Sequence, residues 1–128
     1  MSREPVSAPG APAAIGPYSH AVAASGLLFC SGQLPLHPAT GEMPAAPAAE
    51  QARRCLDNLA AVCAAAGTTL ERAVRLTIYL TDLASFEQVN EVYASYFGAA
   101  PPARVTVGVA SLPRGAAVEI DAIVALSN

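Results

Sequence analysis

Hydrophobic positions recur at intervals of three and four over two stretches of the chain and alternate with polar ones over three others. From Pro47 to Ala66, Ala52, Cys55, Leu56, Leu59, Val62, Cys63 and Ala66 form one stripe, which predicts a helix that Gly67 is placed to end. A second helix is expected from Asp82 as N-cap to about Phe97, with Phe86, Val89, Tyr93, Tyr96 and Phe97 on its apolar face. Residues 72–81 alternate, with Val74, Leu76, Ile78 and Leu80 on one face and Arg75, Thr77, Tyr79 and Thr81 on the other, as in a strand covered on one side. After Pro101-Pro102, residues 104–110 alternate again. Val105, Val107 and Val109 are expected inward, with Arg104, Thr106 and Gly108 opposite. The last strand sends Val118, Ile120, Ala122 and Val124 one way and Glu119 and Asp121 the other, and the SLPRGA loop permits a hairpin joining these two final strands.

Residues 20–34 read as a hairpin broken at Ser25-Gly26, followed by a loop marked by Pro35, Pro38, Gly41 and Pro44. Residues 1–19, with four of the 11 prolines, are expected to be extended or irregular and pinned by tertiary contacts, with an N-terminal strand left open. The order β-β-α-β-α-β-β implies an α+β fold, one sheet with both helices on a single face.

Composition narrows the setting. The 128 residues suit a single domain, 1–128. Although 53% are hydrophobic, much of that fraction is Ala, and no run approaches the roughly 18 apolar residues of a membrane span. The first residues lack the apolar core of a signal peptide, so the expected location is the cytoplasm, away from the membrane. A formal charge of −3 with scattered basic residues disfavours nucleic acid as a partner. Cys30, Cys55 and Cys63 have neither zinc nor framework spacing, and Cys55 and Cys63 stand about 12 Å apart along a helix, so buried thiols are expected. His20 and His37 have no companion at metal spacing. No metal site is therefore expected, and no phosphate loop, dinucleotide fingerprint or other cofactor motif is present.

If the last two strands pair, Glu119 falls opposite Thr106 or Gly108. Arg104, Thr106 and Glu119 then lie roughly 5–8 Å apart and can surround one small molecule. The alternative is a cross-strand ion pair between Arg104 and Glu119 on a solvated face. Thr77, Tyr79 and Ile123 share that face, too mixed a set for free solvent, so another subunit is expected to cover it and leave a cleft at the seam. Asn90 lies inside the apolar arc between Phe86 and Tyr93 and needs partners, either a loop it ties down or a ligand. Tyr18, in a GPY turn, either caps a pocket or locks the turn. Ser31 and Gly32 end an apolar strand where backbone N–H groups can approach an anion.

The segments APAAIGPYSHAV, SGQLPLHPATGE, LDNLAAVCAAAG and PPARVTVGVASLPRGAAVEIDAIV together resemble the reactive intermediate deaminase (Rid, YjgF-like) family over residues 11–125. The resemblance implies a chorismate mutase-like α+β domain and a homotrimer whose sheets line a central barrel, with sites in the three intersubunit clefts. It implies a cofactor-independent hydrolase that converts 2-imino or 2-enamino acids to 2-keto acids and ammonia. The alternative is a non-catalytic trimer holding a 2-keto acid or similar small carboxylate. Carried over by motif, the catalytic positions are Arg104 and Glu119, and the substrate-binding positions are Tyr18, Ser31, Gly32, Asn90 and Thr106. Many deaminases of the family have Cys where this chain has Thr106.

Overall fold

Ser25 and Gly26 both take positive φ, 54° and 77°, which gives a two-residue turn whose twist matches that of the strands it joins. It closes β2 (Ala21–Ala24) on β3 (Leu27–Gln33), as the sequence predicts. This computed structural model describes residues 2–126, so residues 1, 127 and 128 of the predicted domain span lie outside it. The N-terminal strand left open by the sequence exists: β1 (Glu4–Val6) pairs with β2.

α1 (Ala48–Ala65) begins after Pro47 and ends where Gly67 turns to φ 81°. There the Thr68 N–H reaches back to the Cys63 carbonyl and the Gly67 N–H to that of Ala64, satisfying two terminal carbonyls. β4 (Ala73–Leu80) follows. Asp82 then caps a 3-10 turn, its Oδ1 accepting from the Ala84 N–H at 2.9 Å. α2 (Phe86–Ala94) is shorter than predicted, and Tyr96 and Phe97 pack on the core from beyond its end. β5 (Ala103–Gly108) and β6 (Val118–Ala125) complete the chain.

All six strands form one mixed sheet in the order β1-β2-β3-β6-β4-β5. Leu56, Leu59 and Val62 of α1 and Val89 and Tyr93 of α2 share one core cluster with Leu28, Leu76, Ile78, Leu80, Val118, Ile120 and Val124 of the sheet. Both helices therefore cover the same face. Among the described residues no helix is long and apolar enough to cross a membrane.

Three expectations are overturned. The last two strands do not form a hairpin: β6 lies antiparallel between β3 and β4, and β5 lies parallel to β4 at the sheet edge. α2 carries the chain back across the sheet after β4, so the next strand must run parallel to it. The central slot goes to β6, whose Val118, Ile120, Ala122 and Val124 are all buried. The faces of β5 are also reversed. Arg104 and Thr106 stand beside Leu76 and Ile78 on the helix side, whereas Val105 and Val107 stand beside Thr77 and Tyr79 on the open side, 37% and 38% exposed. Val74, expected inward, is exposed because one extra residue of β4 bulges between Ala73 and Arg75.

Candidate active site

The register of β3 against β6 runs Cys30–Ala122 and then Gln33–Ile120, three steps against two, so Ser31 and Gly32 form a bulge. A bulge re-aims what it carries. The Ser31 N–H donates to the His20 carbonyl at 3.0 Å, and its hydroxyl donates to the Ser19 carbonyl at 2.6 Å. Gly32 faces Glu119 so closely that a Cβ added there would fall on the carboxylate oxygen, with Cδ at 3.0 Å. Only glycine leaves that carboxylate its place.

Two buried polar side chains build the walls around this point. His20 accepts from the Ala8 N–H through Nδ1 at 2.9 Å and, in the tautomer these partners assign, donates from Nε2 to the Pro12 carbonyl at 2.7 Å. This pins the proline-rich N-terminal segment over β3, so that Pro12, Ile15 and Tyr18 form one wall. The Tyr18 hydroxyl accepts from the Ile15 N–H at 3.3 Å and its ring stays exposed. Asn58, fully buried on α1, donates to the carbonyls of Leu34 and Leu36 at 3.1 and 3.0 Å and accepts from Arg54. That fixes the opposite wall. The cavity of about 310 Å³ between them has Gly32 and Glu119 among its lining residues.

Glu119 is half-buried on the open face of β6, opposite Tyr79, whose hydroxyl donates to Asp121 at 2.9 Å. Burial first, and then the Asp121 charge, push the Glu119 carboxyl above its ordinary value. A carboxyl so placed keeps a proton to higher pH, which suits a group that must both take and return one.

The second group of predicted residues gathers elsewhere. Arg104 donates from Nη1 to Asn90 Oδ1 at 2.6 Å, and its Cζ lies 4.8 Å from the Tyr93 ring centroid and 5.6 Å from that of Phe86. Arg104, Asn90 and Tyr93 border a recess of about 410 Å³ that also includes Phe97, Pro101 and Pro102. Burial raises the Tyr93 phenol, with the Arg104 charge opposing. The Tyr93 and Thr106 hydroxyls are buried without a hydrogen-bond partner among the described residues.

Tyr18, Ser31, Gly32 and Glu119 therefore meet in one cavity, and Asn90 and Arg104 in another, with Thr106 on the Arg104 side of the sheet. The expected cluster of Arg104, Thr106 and Glu119 does not form within one chain, because β4 separates their strands and the side chains point to opposite faces. The cross-strand ion pair is absent for the same reason. Neither Asn58, His20, Phe86 nor Tyr93 was singled out as part of a site. Asn58 had a signal, a polar residue inside the stripe of Cys55, Leu56, Leu59 and Val62.

An α+β sheet carrying a carboxylate cavity on one side and an arginine recess on the other defines the class. Residues 9–126 match the family described as Endoribonuclease L-PSP. The chain belongs to that family, whose members also bear the names RutC and reactive intermediate deaminase. It is 51% identical over 124 residues to the RutC family protein y4sK of Sinorhizobium fredii, covering 97% of this chain and 98% of that one. It is 43% identical over 121 residues to the mouse 2-iminobutanoate/2-iminopropanoate deaminase, covering 94% and 90%. The crystal structure of E. coli TdcF with bound serine superposes with a TM-score of 0.90 at 39% identity, covering 97% of this chain and 99% of that one.

Proposed function

We propose that the protein hydrolyses 2-imino and 2-enamino acids to 2-keto acids and ammonia in clefts between the subunits of a homotrimer. The observation that carries this is the state of Arg104. Among the described residues its guanidinium is held by an amide oxygen and two ring faces and by no carboxylate. A planar fork of charged donors is thus left for a planar carboxylate. Because Glu119 belongs to the other face of the same sheet, a site that uses both must join two copies. Phe29, Val105 and Val107, 43%, 37% and 38% exposed, give the open face apolar surface for that contact.

In the cleft, Arg104 of one copy holds the substrate carboxylate, oriented by Asn90. Glu119 of the next copy, seated over Gly32, faces the imine carbon. A water hydrogen-bonded to the Glu119 carboxylate gives it a proton as the water oxygen bonds to that carbon, while the C=N π pair moves to nitrogen, which takes that proton back from Glu119. The tetrahedral intermediate then collapses: its hydroxyl passes its proton by way of Glu119 to the nitrogen, the carbonyl forms as the C–N bond breaks, and ammonia leaves. Tyr18 and Ser31 wall the pocket, and Thr106 lies beside the carboxylate anchor. No change of oxidation state occurs, so positioning and proton transfer suffice. The deaminase named in mouse and the serine held by TdcF, a small molecule with an α-carboxylate, support this substrate class.

The test is release of 2-keto acid while an amino-acid oxidase generates the imine in the same cuvette. Acceleration by the wild-type protein and its loss in Arg104→Ala are expected. Binding of a keto acid with no acceleration would leave a carboxylate-binding protein instead.

A further inference from the structure

Phe86, Asn90 and Tyr93 recur at four and three along α2 and so form one stripe, and all three converge on the Arg104 guanidinium. Both ring contacts, 4.8 and 5.6 Å from Cζ to centroid, are within cation–π range. Their chemistry differs from that of an ion pair. A ring attracts the cation lying over it without supplying an oxygen acceptor for its N–H donors. It also holds the cation without neutralising it. Among the described residues Asn90 takes a hydrogen bond from Nη1 alone. The Tyr93 phenol is buried with its hydroxyl unpartnered among the described residues, so what Tyr93 offers Arg104 is its ring.

We propose that Phe86 and Tyr93 are positioning residues that clamp the Arg104 guanidinium through their ring faces, presenting its remaining donors in one orientation to an incoming carboxylate. A solvated arginine samples many rotamers and must be ordered when it binds. An arginine already held against two rings has lost that freedom beforehand, so less of the binding energy is spent on ordering. This rests on Arg104 being the carboxylate anchor of the proposed function.

The test uses Phe86→Leu, Tyr93→Leu and Tyr93→Phe in the full chain, with three readouts: kcat and KM for imine hydrolysis, the Kd of 2-ketobutyrate, and the NMR signals of the Arg104 guanidinium in ¹⁵N-labelled protein. Both Leu variants are expected to raise KM and the 2-ketobutyrate Kd about tenfold while changing kcat by less than roughly threefold. Rotation about the Arg104 Nε–Cζ bond, slow in the wild type, should become fast in both. Tyr93→Phe, which restores the ring, should rescue the Tyr93→Leu losses. Phe86 is 38% exposed, so its replacement does not hollow the core even if Tyr93→Leu folds poorly. Unchanged KM and slow rotation in the Leu variants would overturn the clamp, as would a Tyr93→Phe variant as impaired as Tyr93→Leu. If the wild type neither hydrolyses imines nor binds 2-ketobutyrate, the proposed function fails by itself. The clamp is then decided by the guanidinium signals: faster rotation in the Leu variants supports it, and unchanged rotation overturns it.

Discussion

Arg104 and Glu119 project from opposite faces of one sheet, with the whole of β4 between their strands. Glu119 is in register with Tyr79 and Tyr79 with Val107, three residues along from Arg104. At ordinary strand spacing the two α-carbons are therefore about 14 Å apart. No rotamer closes that gap through the sheet.

Complementation between copies follows. Arg104→Ala and Glu119→Gln chains, each inactive alone, should regain activity when unfolded together in equal amounts and refolded. Random assembly leaves roughly a quarter of clefts with one intact Arg104 and one intact Glu119, so about a quarter of wild-type keto acid release is expected. Zero recovery from well-formed mixed oligomers, separated by a charge tag, would place both groups in the same chain's site.

Glu119→Gln should lower kcat by about 10² to 10⁴ with little change in KM, because the amide keeps the shape and loses the proton-carrying role. Its effect on stability depends on pH with a definite sign. The folded carboxyl sits above its ordinary value of 4.5, so the native state binds the proton more tightly than the unfolded chain does. The wild type is thus penalised by the charge once pH passes the folded value, and the penalty vanishes below about 4.5. Melting curves should show Glu119→Gln gaining on the wild type at neutral pH and the gain fading as pH falls through the carboxylate range.

Gly32→Ala removes the space that the Glu119 carboxylate occupies. The chain should still fold, at a cost of about 1–3 kcal/mol for the overpacking. Displacing the carboxylate by about 1 Å should cost about 10²-fold in activity. An active Gly32→Ala protein with Glu119 unmoved in its crystal structure would disconnect this contact from catalysis.

Asn58→Leu should be more damaging to stability than its distance from the cavity floor suggests. It strips the partner from two backbone carbonyls, at Leu34 and Leu36, and leaves Arg54 without its acceptor. Each buried group left unpaired costs about 1–3 kcal/mol. Chemical denaturation should place the total at about 2–5 kcal/mol, with loss of activity from the slackened wall.

Much of this fold was legible along the chain because it is written in local periods. The stripe on α1, its end at Gly67, the turn at Ser25-Gly26 and the alternation of β6 each follow from contacts a few residues long, and the motifs around Tyr18, Ser31-Gly32, Asn90, Arg104 and Glu119 pointed to the family. Strand partnership is a different kind of information. Alternation says that a strand has two faces, but not which neighbour it takes. The valines of β5 read as core-facing until α2 returned the chain parallel to β4 and turned Arg104 and Thr106 toward the helices. The bulge that lifts Gly32 against Glu119 exists only because β6, some ninety residues later, lies beside β3. Sequence alone thus determined which elements form and which family the chain belongs to, and it nominated the residues of the proposed site. Tertiary structure decided that the acid and the cation are held apart, because pairing between distant strands is set by burial over the whole sheet.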